Sequence, residues 1–186
     1  MAATFRAGVI IVVEHSDGRV LSCERGDIAG AWQLPQGGID EGETPVGAAW
    51  RELEEETGLT SAEVKLSACS DDWTLYELPQ GHGLGRHLGQ VHRWFRFVVT
   101  HDNVQPTVDG NEFVNWSWMR PTDLVDVVAE FRRTGYEAML LNDDGSSKMS
   151  AVQEFWFWTV LIILTAILFR FVIRSYKSVE YLHDSK

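Results

Sequence analysis

One helix is written into this sequence with both of its ends marked. Thr44 can cap the N-terminus through its hydroxyl, Pro45 suits the first helical position, and Gly58 suits the left-handed residue that stops a helix. The spacing predicts about three and a half turns between them. At 100° per residue Glu52, Glu55 and Glu56 share one face of that helix at i, i+3 and i+4. Three carboxylates crowded together repel one another, so the face calls for a cation. Hard divalent ions such as Mg²⁺, with Mn²⁺ as second choice, take oxygen ligands and bridge onward to phosphates. Upstream, Gln36-Gly37-Gly38 reads as a glycine-rich loop that lets backbone approach the ion or its substrate without a Cβ in the way.

The rest of the chain falls into order around that helix. Phe5-Glu14 and Arg19-Arg25 are β-branched, apolar runs flanking Ser16-Asp17-Gly18, which reads as a hairpin. Val64-Glu77, Leu88-His101 and Glu112-Met119 read as further strands, and Pro121-Leu141 has helical spacing. Strands, helix, strands, helix make an α+β domain with a mixed sheet between helices. The chain of 186 residues carries a net charge of -11, all of it within residues 1–140. A protein that coats nucleic acid needs the opposite sign, so stable, broad nucleic-acid binding is not expected. Cys23 and Cys69 form no CxxC pair and no disulfide framework, which fits a reduced compartment and two packed thiols.

After residue 141 the composition changes. Residues 142–154 read as a linker of small, polar and charged residues, and 155–174 as a transmembrane helix followed by a short polar tail at 175–186. Phe155-Ile173 holds one charge, Arg170, and as a helix it reaches about 28 Å, close to the ~30 Å hydrocarbon layer. Trp156, Trp158 and Tyr176 lie near its ends, where interfacial aromatics belong. A buried hydrophobic helix is the alternative. Arg170, Arg174, Lys177 and Lys186 would place the C-terminus in the cytosol by charge alone. The first residues lack the pattern of an export signal, however, and read as a strand. The expectation is a membrane-associated protein with a C-terminal anchor and its first domain cytoplasmic.

The stretch Gly37-Leu59, GGIDEGETPVGAAWRELEEETGL, resembles the Nudix box, G-x5-E-x7-R-E-U-x-E-E-x-G-U, at every defined position. Its flank Trp32-Gln33-Leu34-Pro35-Gln36-Gly37-Gly38-Ile39 is similar to that of RNA pyrophosphohydrolases and asymmetric dinucleoside tetraphosphate hydrolases. Trp73-Thr74-Leu75-Tyr76-Glu77-Leu78-Pro79, Gly89-Gln90-Val91-His92-Arg93-Trp94-Phe95 and Asn111-Glu112-Phe113 continue the likeness in the same order, over about residues 5–140.

The resemblance implies a Nudix fold, a mixed sheet sandwiched between helices, with the hydrophobic C-terminal helix outside it. It implies metal-dependent attack of water on phosphorus in the 5′ polyphosphate end of RNA or in a dinucleoside polyphosphate. By the same resemblance Glu52, Glu55 and Glu56 are metal ligands, joined by the Gly37 carbonyl and Glu112. Arg51 braces Glu43, Gly38 and Gly58 shape the motif, and Arg6, Arg25 and Tyr76 meet substrate. Glu52 or Glu55 is the candidate general base. Trp32, Tyr76, Trp94 and Phe95 are candidates to stack on a base, although strand aromatics are more often core. The alternative is a membrane-tethered, non-catalytic nucleotide-binding module. Its signature, loss of a cluster carboxylate, is absent. Two departures stand out: residues 26–31 are one longer than usual for the subfamily, and residues 80–87 carry two His and one Arg where an RNA-directed member is richer in Lys and Arg.

Overall fold

The computed structural model describes residues 4–77, 87–148 and 163–165. Its centre is β1 (Thr4–Glu14), buried without interruption from Gly8 to Glu14. β1 pairs in parallel with β7 (His87–Val99) and antiparallel with β4 (Gln36–Gly38). Successive side chains of a strand leave opposite faces, so β1 feeds two cores. Val9, Ile11 and Val13 pack with Ala48, Ala49 and Leu53 of α1 (Pro45–Thr57). Ile10 and Val12 pack instead with Leu124 of α2 (Pro121–Val127) and with Tyr136 and Leu140 of α3 (Glu130–Leu140). A strand covered on both faces needs no polar alternation, which explains the continuous apolar run. The expected mixed sheet between helices is present.

The hairpin forms at Ser16-Asp17-Gly18, with Gly18 at φ 85°. Its two strands then diverge: β1 and β2 (Val20–Arg25) share only the Glu14–Val20 pair. β2 goes on to pair with β8 (Phe113–Met119) and with β3 (Trp32–Gln33). Between Glu24 and Arg25 the β2–β8 register slips, and such a bulge re-aims the side chain beside it.

Three sequence expectations are corrected. Gln36–Gly38 is not a loop; it is a three-residue strand held on β1 through the pairs Gly8–Gly38, Val9–Gly37 and Ile10–Gln36. Val64-Glu77 is two strands, β5 (Val64–Cys69) and β6 (Thr74–Glu77), because residues 70–73 leave the ladder and the Ser70 hydroxyl accepts from the Trp94 backbone N–H. Pro121-Leu141 is two helices, because Val128 and Ala129 turn extended, at ψ 150° and 134°. Cys23 is buried as expected, whereas Cys69 lies exposed on the edge strand β5.

The end signals of α1 act as written. The Thr44 hydroxyl accepts from the Gly47 N–H at 3.2 Å, and Gly58 takes φ 66° with its N–H on the Glu54 carbonyl at 2.8 Å. Past α3, residues 142–148 turn back, with Asn142 N–H donating to the Ser146 carbonyl and Lys148 N–H to the Leu140 carbonyl. Residues 149–186 form a separate unit. Only 163–165 of it are described, as helix, so the expected 155–174 span lies otherwise outside the described residues. Among the described residues no helix is long and apolar enough to cross a membrane.

Candidate active site

Helix α1 presents its acidic face to the short strand β4. Glu56 is 5 % exposed, with Oε2 accepting the Gln36 N–H at 2.9 Å and Oε1 buried without a partner. Burial, reinforced by the nearby charges of Glu112 and Glu52 and opposed by the Gln36 N–H, pushes its carboxyl up to about 9. Glu52 is also raised by burial, against the pull of Arg51. Glu55 points outward, its side chain 60 % exposed and 3.1 Å from Arg51. The shared face of the three carboxylates is therefore graded from buried to solvated.

Arg51 holds this arrangement together. Its Nε and Nη2 form a fork with Glu43 at 3.0 and 2.9 Å, Nη2 also donates to the Gly38 carbonyl, and Nη1 donates to Glu52 at 2.7 Å. The fork keeps the Glu43 carboxyl well below its usual range and raises Arg51 further. It ties the end of β4 and the 39–43 loop to the helix, as the sequence motif implied. A Cβ on Gly37 would overlap the Glu52 carboxylate where it now stands, and a Cβ on Gly38 would strike the Arg6 guanidinium. Gly58, by contrast, acts at the far end of the helix as its stop.

Across from α1, Glu112 sits in a loop fixed by Asp109, whose carboxylate accepts the Glu112 and Phe113 N–H groups at 3.0 and 2.9 Å. Among the described residues no three His, Cys, Asp or Glu side chains converge closely enough in this conformation to hold an ion. The donors nevertheless fit a divalent cation: an orphaned, buried Glu56 oxygen, Glu52 against a backbone without Cβ, and hard oxygen chemistry throughout. A carboxyl as buried as Glu56 stays protonated at neutral pH unless a cation neutralises it, so ion binding and its ionisation are linked.

A cleft of about 490 Å³ opens over this face. Arg6, Arg25, Trp32, Gly37, Gly38, Glu52 and Glu112 line it as the sequence suggested. Sequence reasoning missed its other wall, Gln33, Gln36, His92, Phe131 and Arg132. Arg132 donates to the side-chain carbonyls of Gln33 and Gln36 and lies over the Tyr76 and Phe131 rings at 5.5 and 5.3 Å. Burial, with Arg132 and Arg6 nearby, drops His92 to about 3, so a neutral imidazole stacks on Tyr76. Tyr76 is thereby placed in the wall behind the cleft, facing His92, Phe131 and the Gln90 side chain, and is not among the residues lining it. Trp94 and Phe95, each 2 % exposed, belong to the core and do not line this cleft. Only the Trp-Gln-x-Pro-Gln spacing marked Gln33 and Gln36 in the sequence. Arg132 stands outside every motif of the sequence.

Fold and site together have the features of a phosphate-anhydride hydrolase of the mixed-sheet type: a carboxylate face able to hold a cation and arginines on the same cleft able to take phosphates. The NUDIX domain pattern matches residues 4–139, and the chain belongs to the Nudix family of hydrolases. It is 40 % identical over 144 residues to an RNA pyrophosphohydrolase of Cereibacter sphaeroides, covering 73 % of this chain and 88 % of that one. It is 32 % identical over 160 residues to Nudix hydrolase 25 of Arabidopsis thaliana, covering 76 % and 90 %. The fold is shared with the E. coli dihydroneopterin triphosphate pyrophosphohydrolase, at a TM-score of 0.61 and 22 % identity over 73 % of this chain and 96 % of that one.

Proposed function

We propose that this Nudix hydrolase removes pyrophosphate from the 5′ triphosphate end of RNA. The observation that carries the reading is one cleft in which Arg6, Arg25 and Arg132 face Glu52 and Glu112. The identity to RNA pyrophosphohydrolases supports the choice of substrate. Mg²⁺ is the ion we assign to Glu52, Glu56, the Gly37 carbonyl and Glu112, with Glu55 at the exposed edge. When bound, it supplies positive charge to the phosphoryl oxygens and lowers the pKa of a coordinated water. Glu52 is the better placed of the two candidate bases, because its side chain lines the cleft while Glu55 is turned to solvent. It takes the proton as water oxygen bonds to phosphorus and the anhydride P–O bond breaks. The three arginines hold the phosphates as charge shifts to the leaving group.

A dinucleoside polyphosphate is the second reading, favoured by the net charge of -11. Both substrates have a polyphosphate that the cleft can grip locally, without contact to a long strand. Three arginine contacts on single-stranded nucleic acid correspond to a log–log salt slope no steeper than about -2. We therefore expect similar kcat/KM on short and long triphosphorylated oligonucleotides, with that shallow slope. Diadenosine tetraphosphate assayed alongside decides between substrates. A steep slope, or a strong gain with RNA length, would defeat the local-grip reading.

The apolar composition of Phe155-Ile173 supports a further part of the proposal, a C-terminal membrane anchor with the Nudix domain in the cytoplasm. Full-length protein is expected to stay with membranes through alkaline extraction, and protease added to intact cells should leave the domain whole. Full-length protein that stays soluble without detergent would overturn the anchor.

A further inference from the structure

Of the three cleft arginines, Arg25 alone already holds an anion. Its Nε and Nη2 form a fork with Asp27 at 2.7 Å each, while Glu112 stands 3.8 Å from Nη1, too far for a hydrogen bond. Two parallel N–H···O bonds to a planar carboxylate are also the geometry in which arginine takes a phosphate. Asp27 itself lines the cleft. Its position is built in. Gly26 packs so closely on the 111–112 backbone that a Cβ would stand 2.7 Å from the Asn111 carbonyl, and its N–H donates to the Glu112 carbonyl at 2.8 Å. Beyond it, Gly30 turns at φ 75°, with its N–H on the Glu24 carboxylate, and Arg25 N–H closes the loop on the Ala31 carbonyl. This 26–31 segment joins β2 to β3. The β2 bulge at Glu24–Arg25 and the fixed loop together bring the two side chains into one fork.

We propose that Asp27 is a specificity-determining residue, an internal carboxylate that occupies Arg25 in place of a substrate phosphate. This rests on the polyphosphate reading above. Weak anions such as orthophosphate or a lone monophosphate end do not displace Asp27. A polyphosphate engaged elsewhere in the cleft does, because its local concentration at Arg25 is then high. The Asp27 side chain is 58 % exposed, so it can swing into solvent when displaced, and the exchange carries only the small cost of an exposed ion pair.

The test is a double-mutant cycle read by calorimetric binding of orthophosphate and inorganic tripolyphosphate and by steady-state kinetics on triphosphorylated oligonucleotide. Asp27→Asn is expected to tighten orthophosphate binding about fivefold, the upper end for an exposed pair. Tripolyphosphate, already held by its other contacts in the cleft, should gain by a smaller factor, so the window between product-like and substrate-like anions narrows. The kinetic gain should sit in KM. In an Arg25→Gln background the same Asp27→Asn change should alter binding by less than about 1.5-fold, because the group Asp27 acts through is gone. A fivefold gain that persists in Arg25→Gln would mean that removing any negative charge near the cleft has this effect, and the proposal fails. No change in the wild-type background also overturns it. If wild-type protein neither binds tripolyphosphate nor hydrolyses any polyphosphate, the functional reading falls and takes this one with it. Tripolyphosphate binding together with orthophosphate binding that is indifferent to Asp27 removes this inference alone.

Discussion

Glu56→Gln is expected to lower kcat by at least about a hundredfold while the melting temperature of metal-free protein moves by only a few degrees. The two effects separate because the two Glu56 oxygens do different things. Oε2 accepts the Gln36 N–H, and the amide oxygen of Gln can keep that bond. Oε1 has no partner and is buried, so in the amide it becomes an N–H₂ without a partner, a cost of about 1–3 kcal/mol. Against this, the wild-type carboxyl already bears a burial penalty large enough to push it up to about 9. The net change in stability is small, about 1 kcal/mol, or roughly 2–4 °C for a domain of this size. Losing a charged oxygen donor from a divalent site has the larger consequence, since an amide neutralises nothing. Unfolding followed with and without Mg²⁺ or Mn²⁺ gives a reading independent of turnover: the ion should raise the wild-type melting temperature and leave that of Glu56→Gln almost unchanged. Near-wild-type turnover in folded Glu56→Gln protein would remove Glu56 from the metal site.

The parts of this molecule that were legible in its sequence are those decided by local chemistry. Thr44, Pro45 and Gly58 bounded α1 to the residue because caps and left-handed stops are short-range events. The carboxylate face followed from the helical period alone. β1 was visible from its apolar run, but its central position was not. That depends on parallel pairing with β7, more than eighty residues away, from Phe5–Gly89 to Glu14–Val98. β4 was hidden because three residues, two of them glycine, carry no strand propensity; partners on β1 make it a strand. The break after Val127 was hidden because no Gly or Pro marks it, and tertiary packing outweighs helical spacing there. Arg132 became a site residue only through that break, since it lies in the first turn of α3, where it can reach Gln33 and Gln36. Tyr76 shows a different dependence on tertiary packing. Its place in the motif pointed to substrate, yet His92, Phe131 and Arg132 pack it into the wall that supports the cleft.

Gly37→Ala should show how narrowly that wall and the helix are fitted. Gly37 has no positive φ among the described glycines, so its backbone can accept an alanine without conformational strain. The added Cβ would land on the carboxyl carbon and oxygens of Glu52. β4 cannot retreat, being paired to β1 at Gly8, Val9 and Ile10, and the Gly38 carbonyl is held by Arg51 at 2.9 Å. The free end of the Glu52 side chain must move instead, leaving its 2.7 Å bond to Arg51. Moving a flexible carboxylate costs little stability, within about 1 kcal/mol, but it takes the candidate base and ligand away from its place. Misplacement on the order of 1 Å in a preorganised site lowers turnover about a hundredfold, and the loss should appear in kcat. Gly38→Ala, one residue on, is the contrasting case: its Cβ meets the end of Arg6, so the expected effect is a raised KM for polyphosphate with a much smaller fall in kcat. If both variants instead lost activity through KM alone, Glu52 would be a binding group whose position does not govern the chemical step.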